Sequence, residues 1–203
     1  MTSKPILMQW LIALGFALAL SACGGNATVP ENHFYRLEVP APTFKAAKAL
    51  DGVLEVDRLL ATGSLSQRSI VYRQTDNPHQ LKAYHYHFWN EAPGELLQAE
   101  LVGYLRAVGI AEKVMTPEMR ARPTHAVTGR VVKLERIVGG APAAAIEMNL
   151  VLRRVADNHV LVSKTYARDV TPKDDTLTAL VQALSLAAGD IFKTFAEDVA
   201  RAR

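Results

Sequence analysis

The fold is decided by the stretch Leu81-Lys82-Ala83-Tyr84-His85-Tyr86-His87-Phe88-Trp89-Asn90-Glu91-Ala92-Pro93. Its sequence predicts a strand that leads directly into a helix. Its first nine residues are rich in the aromatic side chains that strands favour. Strand alternation places Tyr84, Tyr86 and Phe88 on one face and His85, His87 and Trp89 on the other. The final proline suits the first turn of a helix, where its missing N–H costs no hydrogen bond.

Apolar residues recur at helical spacing in two segments, 93–108 and 177–199, which predicts two amphipathic helices. Gly109 is a natural stop for the first helix, because glycine readily adopts the left-handed conformation in which many helices end. Asp174 and Asp175 can cap the second helix, since a carboxylate there accepts backbone N–H groups and meets the positive end of the helix dipole.

Short alternating segments between turn residues predict about seven strands. Asp76-Asn77-Pro78 is a turn signal that folds the aromatic strand back on the strand before it. The segments Thr124–Val138, Ala145–Ala156 and His159–Arg168 have the pattern of an antiparallel meander. We therefore expect a single α+β domain, with a mainly antiparallel twisted sheet and both helices packed on one face.

The N-terminus carries a secretion signal that ends at Leu20-Ser21-Ala22-Cys23. One positive charge, Lys4, precedes an apolar run over 6–20 that is too short for a membrane-spanning helix. Cys23 is the only cysteine of the chain, so it has no partner for an internal disulfide. The pattern resembles the lipobox of bacterial lipoproteins, whose cysteine becomes the acylated first residue. We therefore predict a lipoprotein signal peptide over 1–22 and lipidation at Cys23. The alternative is an ordinary signal peptide with a chance cysteine.

Residues 23–32 are expected to form a lipidated N-terminus and a polar tether, and residues 33–203 the periplasmic domain. Stable anchoring needs two or more acyl chains, because one chain binds only marginally. A flexible tether of this length holds the domain within roughly 15–20 Å of the bilayer. Gly24 stands where an aspartate retains such lipoproteins at the inner membrane of enteric bacteria. By this resemblance the protein lies on the periplasmic face of the outer membrane.

Composition and motifs argue against several classes of function. Without residues 1–22 the chain has 22 Lys+Arg against 20 Asp+Glu and no basic block, so no nucleic-acid partner is expected. The chain lacks the common phosphate-loop, zinc and nucleophile motifs, so we expect no enzyme and no cofactor. Four carboxylates beside basic residues are expected to be solvated charges of the sheet: Glu135, Glu147, Asp157 and Asp169.

Three histidines, His79, His85 and His87, are the one arguable metal cluster. His85 and His87 share a strand face, but a site needs three or four convergent ligands, and Glu91 is the only carboxylate close in sequence. We therefore expect structural histidines and no metal site. A metal-handling lipoprotein that uses His85 and His87 is the minor alternative.

The aromatic strand has two compatible interpretations. Its side chains can pack beneath the following helix, as in any sheet. Alternatively, part of the surface near Trp89 is exposed and meets a partner protein or a lipid. On the second interpretation we predict a partner-binding surface formed by Tyr84, Tyr86, Trp89 and Pro93.

Several short motifs, in this order, resemble the ABC-type transport auxiliary lipoprotein family, the PqiC/YmbA-like lipoproteins. The lipobox is followed by Phe34-Tyr35-Arg36-Leu37, Ser69-Ile70-Val71-Tyr72-Arg73, the stretch from Tyr84 to Pro93, and Leu96-Leu97 at the start of a Leu-rich helix. The resemblance covers essentially the whole chain after the signal peptide. Its motifs are structural and not catalytic.

This resemblance implies an outer-membrane lipoprotein that serves an MCE-type ABC system, which moves phospholipids or other lipophiles between the two membranes. The MCE-domain periplasmic protein, the permease and the ATPase would be separate chains. The lipoprotein would dock the MCE assembly to the outer membrane, and a homo-oligomeric ring is compatible with that role. The alternative is a scaffold for lipopolysaccharide or barrel assembly without a transport role.

Overall fold

The computed structural model describes residues 30–46 and 50–202. These residues form two helices, α1 (Pro93–Val108) and α2 (Leu177–Arg201), and short 3-10 turns at Gly63–Ser66 and Pro117–Met119. They also form eight strands: β1 (His33–Tyr35), β2 (Leu50–Val56), β3 (Ser69–Gln74), β4 (Leu81–Trp89), β5 (Ala111–Met115), β6 (His125–Val138), β7 (Ala143–Arg154) and β8 (Val160–Val170).

All eight strands join one curled, mixed sheet that is organised around β6. On one edge β6 pairs antiparallel with β7, which pairs antiparallel with β8. On the other edge β6 pairs parallel with β2 near its start and with β3 near its end. β5 continues the sheet beyond β2, and β4 followed by β1 continues it beyond β3. The strand β6 therefore connects every part of the sheet.

The α+β class and the two helices agree with the prediction, but the expectation of a mainly antiparallel sheet is wrong: the described residues form a mixed sheet of eight strands, where about seven were expected. The β3–β4 hairpin and the β6–β7–β8 meander are antiparallel, as predicted. The pairings of β1 with β4, β2 with β5, β2 with β6 and β3 with β6 are parallel. Each of these joins strands that are not neighbours in sequence. Local alternation shows that a segment is a strand, but it does not specify a distant partner.

The ends of the helices follow from their capping residues. The backbone N–H of Gly109, at a left-handed φ of 75°, donates to the carbonyls of Leu105 and Arg106 and ends α1 as predicted. Thr176, and not either predicted aspartate, caps α2, because its hydroxyl accepts from the N–H of Ala179 at 3.1 Å. Asp174 supports this cap by accepting from the N–H and the hydroxyl of Thr176.

One continuous apolar core lies between the sheet and the two helices, which also contact each other. α2 is long and apolar enough to cross a membrane, but most of its apolar stretch is buried in this core. The described residues from Asn32 onward pack into one compact unit. Its largest fully buried side chains include Leu97, Leu101, Leu105, Leu134, Trp89, Phe192 and Phe195.

Asp198 attaches the end of α2 to β8. Its carboxylate accepts hydrogen bonds from Tyr166 Oη at 2.8 Å, Lys164 Nζ at 2.9 Å and Arg201 Nη2 at 2.6 Å. Burial alone would raise the pKa of Asp198, but the hydrogen bonds from Arg201, Lys164 and Tyr166 outweigh it and lower the pKa to about 2. The carboxylate is therefore charged at all but strongly acidic pH, and the attachment persists there.

Two glycines of α1 give a matched test of this packing. A Cβ at Gly94 would overlap the carbonyl oxygen of Leu59, whereas a Cβ at Gly103 would meet nothing within 4 Å. We expect Gly94→Ala to lower the free energy of unfolding by about 1–3 kcal/mol, because helix and backbone must move apart. Gly103→Ala should raise it by about 0.5–1 kcal/mol, since alanine loses less backbone entropy. Urea unfolding followed by circular dichroism measures both, and equal effects would contradict this packing.

Candidate functional site

The aromatic end of β4 is held by strands on both sides. β1 pairs with it in parallel register, with His33 opposite His87, Phe34 opposite Phe88 and Tyr35 opposite Trp89. On the other side the N–H of Trp89 donates to the carbonyl of Arg68 at 2.7 Å. Directly after Trp89 the chain turns into α1. This end of β4 therefore connects β1, the strand that follows the N-terminal tether, to the first helix.

The uniform alternation predicted along β4 is wrong because the strand contains a bulge. Ser69 pairs with Phe88, whereas Val71 pairs with Ala83. An interval of two residues on β3 therefore lies opposite an interval of five residues on β4. A bulge of this kind changes the face from which later side chains emerge. Its position depends on the partner strand, which the sequence of β4 does not reveal.

The four predicted partner-binding residues lie at different depths. Tyr86 is 44% exposed, whereas Trp89 is 1% exposed and Pro93 is buried in the first turn of α1. Tyr84 is half-buried, and its hydroxyl accepts a hydrogen bond from Arg136 Nη1 at 2.8 Å. Among the four, Tyr86 is thus the side chain that a partner can reach, while the other three fix the strand and its turn.

His87 lies in an aromatic cluster between β1 and β4. Its ring stacks on that of His33, with centroids 5.0 Å apart, and its Nδ1 lies 2.9 Å from the hydroxyl of Tyr35. The ring of Tyr84 meets it edge-on at 5.7 Å. Burial, and secondly the neighbouring charge of His33, lower the pKa of His87. His87 therefore favours its neutral form in the folded protein.

The three histidines considered as a metal cluster occupy different surroundings. His79 and His85 are exposed, whereas His87 is half-buried against His33. Within residues 30–46 and 50–202, no three histidine, cysteine, aspartate or glutamate side chains converge as metal ligands would.

Three of the four sheet carboxylates, Glu135, Glu147 and Asp157, form ion pairs with cations. Glu147 contacts Lys133 at 2.7 Å, and the exposed Asp157 contacts Arg154 at 3.1 Å. The expectation of a solvated charge is wrong for Glu135, which is buried and accepts from Arg73 Nε at 2.7 Å. The parallel pairing of β3 with β6 places these two residues together, and sequence patterning did not reveal that pairing.

The structure also shows an aromatic surface that the sequence did not indicate. Phe34 is 57% exposed, and its ring centroid lies 5.8 Å from that of Phe88. The Arg68 guanidinium carbon lies 5.1 Å from the centroid of the Phe34 ring, and its Nε donates to the carbonyl of Trp89 at 3.1 Å. We refer to this cleft of about 600 Å³ as the Phe34 cleft; it is lined by Asn32, Phe34, Ser66, Gln67, Arg68, Ser69, Phe88 and Ala92.

Comparison with known proteins gives a family and two structural relatives. The family model described as "ABC-type transport auxiliary lipoprotein component" matches residues 35–196. The crystal structure of a protein from Xanthomonas campestris is similar, with a TM-score of 0.67 and 20% identity over 80% of this chain and 91% of that one. A crystal structure of an uncharacterized protein has a TM-score of 0.63 and 14% identity over 85% of this chain and 98% of that one. No curated protein matches the sequence.

We expect stability to fall when the pH drops below about 6.5, the ordinary pKa of histidine. Because the pKa of His87 is lower in the folded protein, the unfolded chain binds a proton first as the pH falls. The contribution of neutral His87 to the free energy of unfolding is therefore complete above pH 6.5. It is lost as the pH falls from 6.5 through the pKa of His87 in the folded protein. His125 has a pKa shifted in the same direction by burial. In His87→Gln the decrease in unfolding free energy between pH 7.5 and 5 should be smaller than in the parent chain.

Urea unfolding at a series of pH values measures this slope. His85→Gln is the matched control, because it removes an exposed imidazole from the same strand. A His87→Gln slope equal to that of the parent would exclude a contribution from His87.

Proposed function

The chain belongs to the ABC-type transport auxiliary lipoprotein family, and we propose that it is the outer-membrane docking subunit of an MCE-type ABC system that transports phospholipids or other lipophiles between the inner and outer membranes. The family match over residues 35–196 is the observation that carries this proposal. It identifies the protein as an auxiliary lipoprotein component of an ABC-type transporter. The membrane, the MCE partner and the lipid cargo are the further content of the proposal.

The outer-membrane location is supported by the N-terminal sequence. Cys23 follows a lipobox-like triplet, and acyl chains on this residue would supply a stable anchor. Gly24 does not provide the aspartate that retains lipoproteins at the inner membrane. The short tether then keeps the domain at the periplasmic face of the membrane, where it can meet an assembly that reaches across the periplasm.

The docking role is supported by the way β1 joins the tether to the sheet. Backbone hydrogen bonds between β1 and β4 link the residues next to the tether directly to the strand that carries Tyr86. A load applied by a docked partner on β4 would therefore pass to the anchor through one strand pair. A homo-oligomeric ring of such subunits would offer several anchored copies to one MCE assembly.

We assign the partner-facing surface to β4 around Tyr86. This side chain is exposed beside His85, and aromatic side chains are common at the centres of protein interfaces. Tyr84, Trp89 and Pro93 contribute by holding β4 and its turn in place. Substituting the buried Trp89 would damage the fold and would not test contact with a partner.

A photo-crosslinking amino acid at position 86 of the full-length protein should capture the MCE-domain protein in intact cells. Mass spectrometry of the captured product identifies the partner. The matched control places the same amino acid at Val160, which is exposed at the start of β8; we expect no such product there. Adding Cys23→Ala should abolish capture, because the chain loses its membrane anchor.

Capture of barrel-assembly or lipopolysaccharide-assembly proteins from position 86 would contradict the docking role and favour the scaffold function. Capture of the MCE-domain protein from position 160 but not from position 86 would keep the role and exclude Tyr86 as the contact.

A further inference from the structure

We propose that the Phe34 cleft is the surface by which the domain rests on the phospholipid bilayer. In this arrangement the rings of Phe34 and Phe88 enter the headgroup region, and the guanidinium of Arg68 binds lipid phosphate. The inference rests on the lipid anchor at Cys23, which is one part of the proposed function. It goes beyond that function by assigning a membrane-facing side to the domain.

The length of the tether limits which part of the domain can face the membrane. Nine residues, Cys23 to Glu31, precede Asn32, which lines the cleft. A chain of nine residues has an end-to-end distance on the order of 15–18 Å. The surface next to Asn32 is therefore held close to the acyl chains, and Phe34 lies only two residues further along.

The aromatic part of the cleft gains free energy from leaving water. Moving a phenylalanine side chain out of water is favourable, and more than half of Phe34 is exposed in the domain. The nearby Phe88 ring is half-buried and extends the same apolar surface. Rings at the level of lipid headgroups are a recurrent feature of membrane-bound proteins. The bilayer would cover the apolar surface that the fold leaves open.

The charge of the cleft fits lipid phosphate. The Nε–H of Arg68 is bonded to the carbonyl of Trp89, which orients the guanidinium over the Phe34 ring. Among the described residues no carboxylate forms an ion pair with Arg68. The polar side chains lining the cleft are otherwise neutral: Asn32, Ser66, Gln67 and Ser69. The remaining N–H groups of a guanidinium can donate two parallel hydrogen bonds to the oxygens of one phosphate. A bilayer surface carries many such phosphate groups.

The same cleft is poorly suited to enclosing a small ligand. It is a shallow, open depression at the end of the sheet, whereas small-molecule sites surround most of their ligand. A flat, extended occupant fits this shape better. The bilayer is the extended surface to which the tether already brings the cleft.

The test is contact-dependent quenching of a tryptophan introduced at the cleft. The acylated full-length Phe34→Trp protein is purified from membranes and reconstituted into vesicles of phosphatidylethanolamine and phosphatidylglycerol, with or without brominated acyl chains. We expect brominated lipid to reduce the added fluorescence at least twofold, after subtraction of the parent signal from buried Trp89. Arg68→Gln in the same chain should weaken this quenching.

Met119→Trp is the matched control. Met119 is 52% exposed and follows β5, whereas Phe34 lies in β1, at the other end of the six-strand path β1-β4-β3-β6-β2-β5. We expect no quenching there. Equal quenching in both chains would overturn the proposal, because the domain would then have no preferred membrane face.

No quenching of Phe34→Trp in a chain that still sediments with the vesicles would also overturn it, while leaving the anchor at Cys23 intact. If position 34 is shielded from aqueous acrylamide but not quenched by brominated lipid, a second copy of this chain covers the cleft and the bilayer does not, which would overturn the proposal. Failure of the chain to sediment with vesicles would instead count against the anchor itself, and with it the inference.

Discussion

The two-sided pairing of β6 is the constraint on which the rest of the structure depends. Its backbone is bonded to β7 along one edge and to β2 and β3 at the two ends of the other, and Leu60 bridges to Arg130 between them. A side chain on Gly129 would meet the carbonyl oxygen of Asn149 at 2.5 Å and the side chain of Leu150 at 2.8 Å, so glycine permits close packing at mid-strand. Without β6 the sheet would separate into three unconnected parts.

This sheet brings the two proposed surfaces to one strand. β4 reaches β6 only through β3, and β1 reaches it only through β4. The exposed Tyr86 and the half-buried Phe88 are two residues apart on β4, so the proposed partner surface and the proposed membrane surface are adjacent. An anchored subunit with this arrangement would hold its partner close to the bilayer.

The sequence predicted the local elements well and their partners less well. The span of β4, the span of α1 and the stop at Gly109 agree with the structure, because each depends on neighbouring residues alone. The parallel pairings, the bulge and the burial of Glu135 depend on residues far apart in the chain. The exposure of Phe34 also depends on residues far apart in the chain. The alternating pattern of β1 does not show which of its side chains the rest of the fold leaves exposed. The resemblance to the family was confirmed, whereas Tyr84, Tyr86, Trp89 and Pro93 remain a prediction as a partner surface.

On the proposal, an acylated Cys23 anchors this domain to the outer membrane. Intact-mass spectrometry of the protein purified from separated outer membranes tests it most directly. We expect a chain that begins at Cys23 and is heavier than its polypeptide by a diacylglyceryl group, with or without a further N-acyl chain. A chain that begins elsewhere, or one that carries an unmodified Cys23, would contradict the claim.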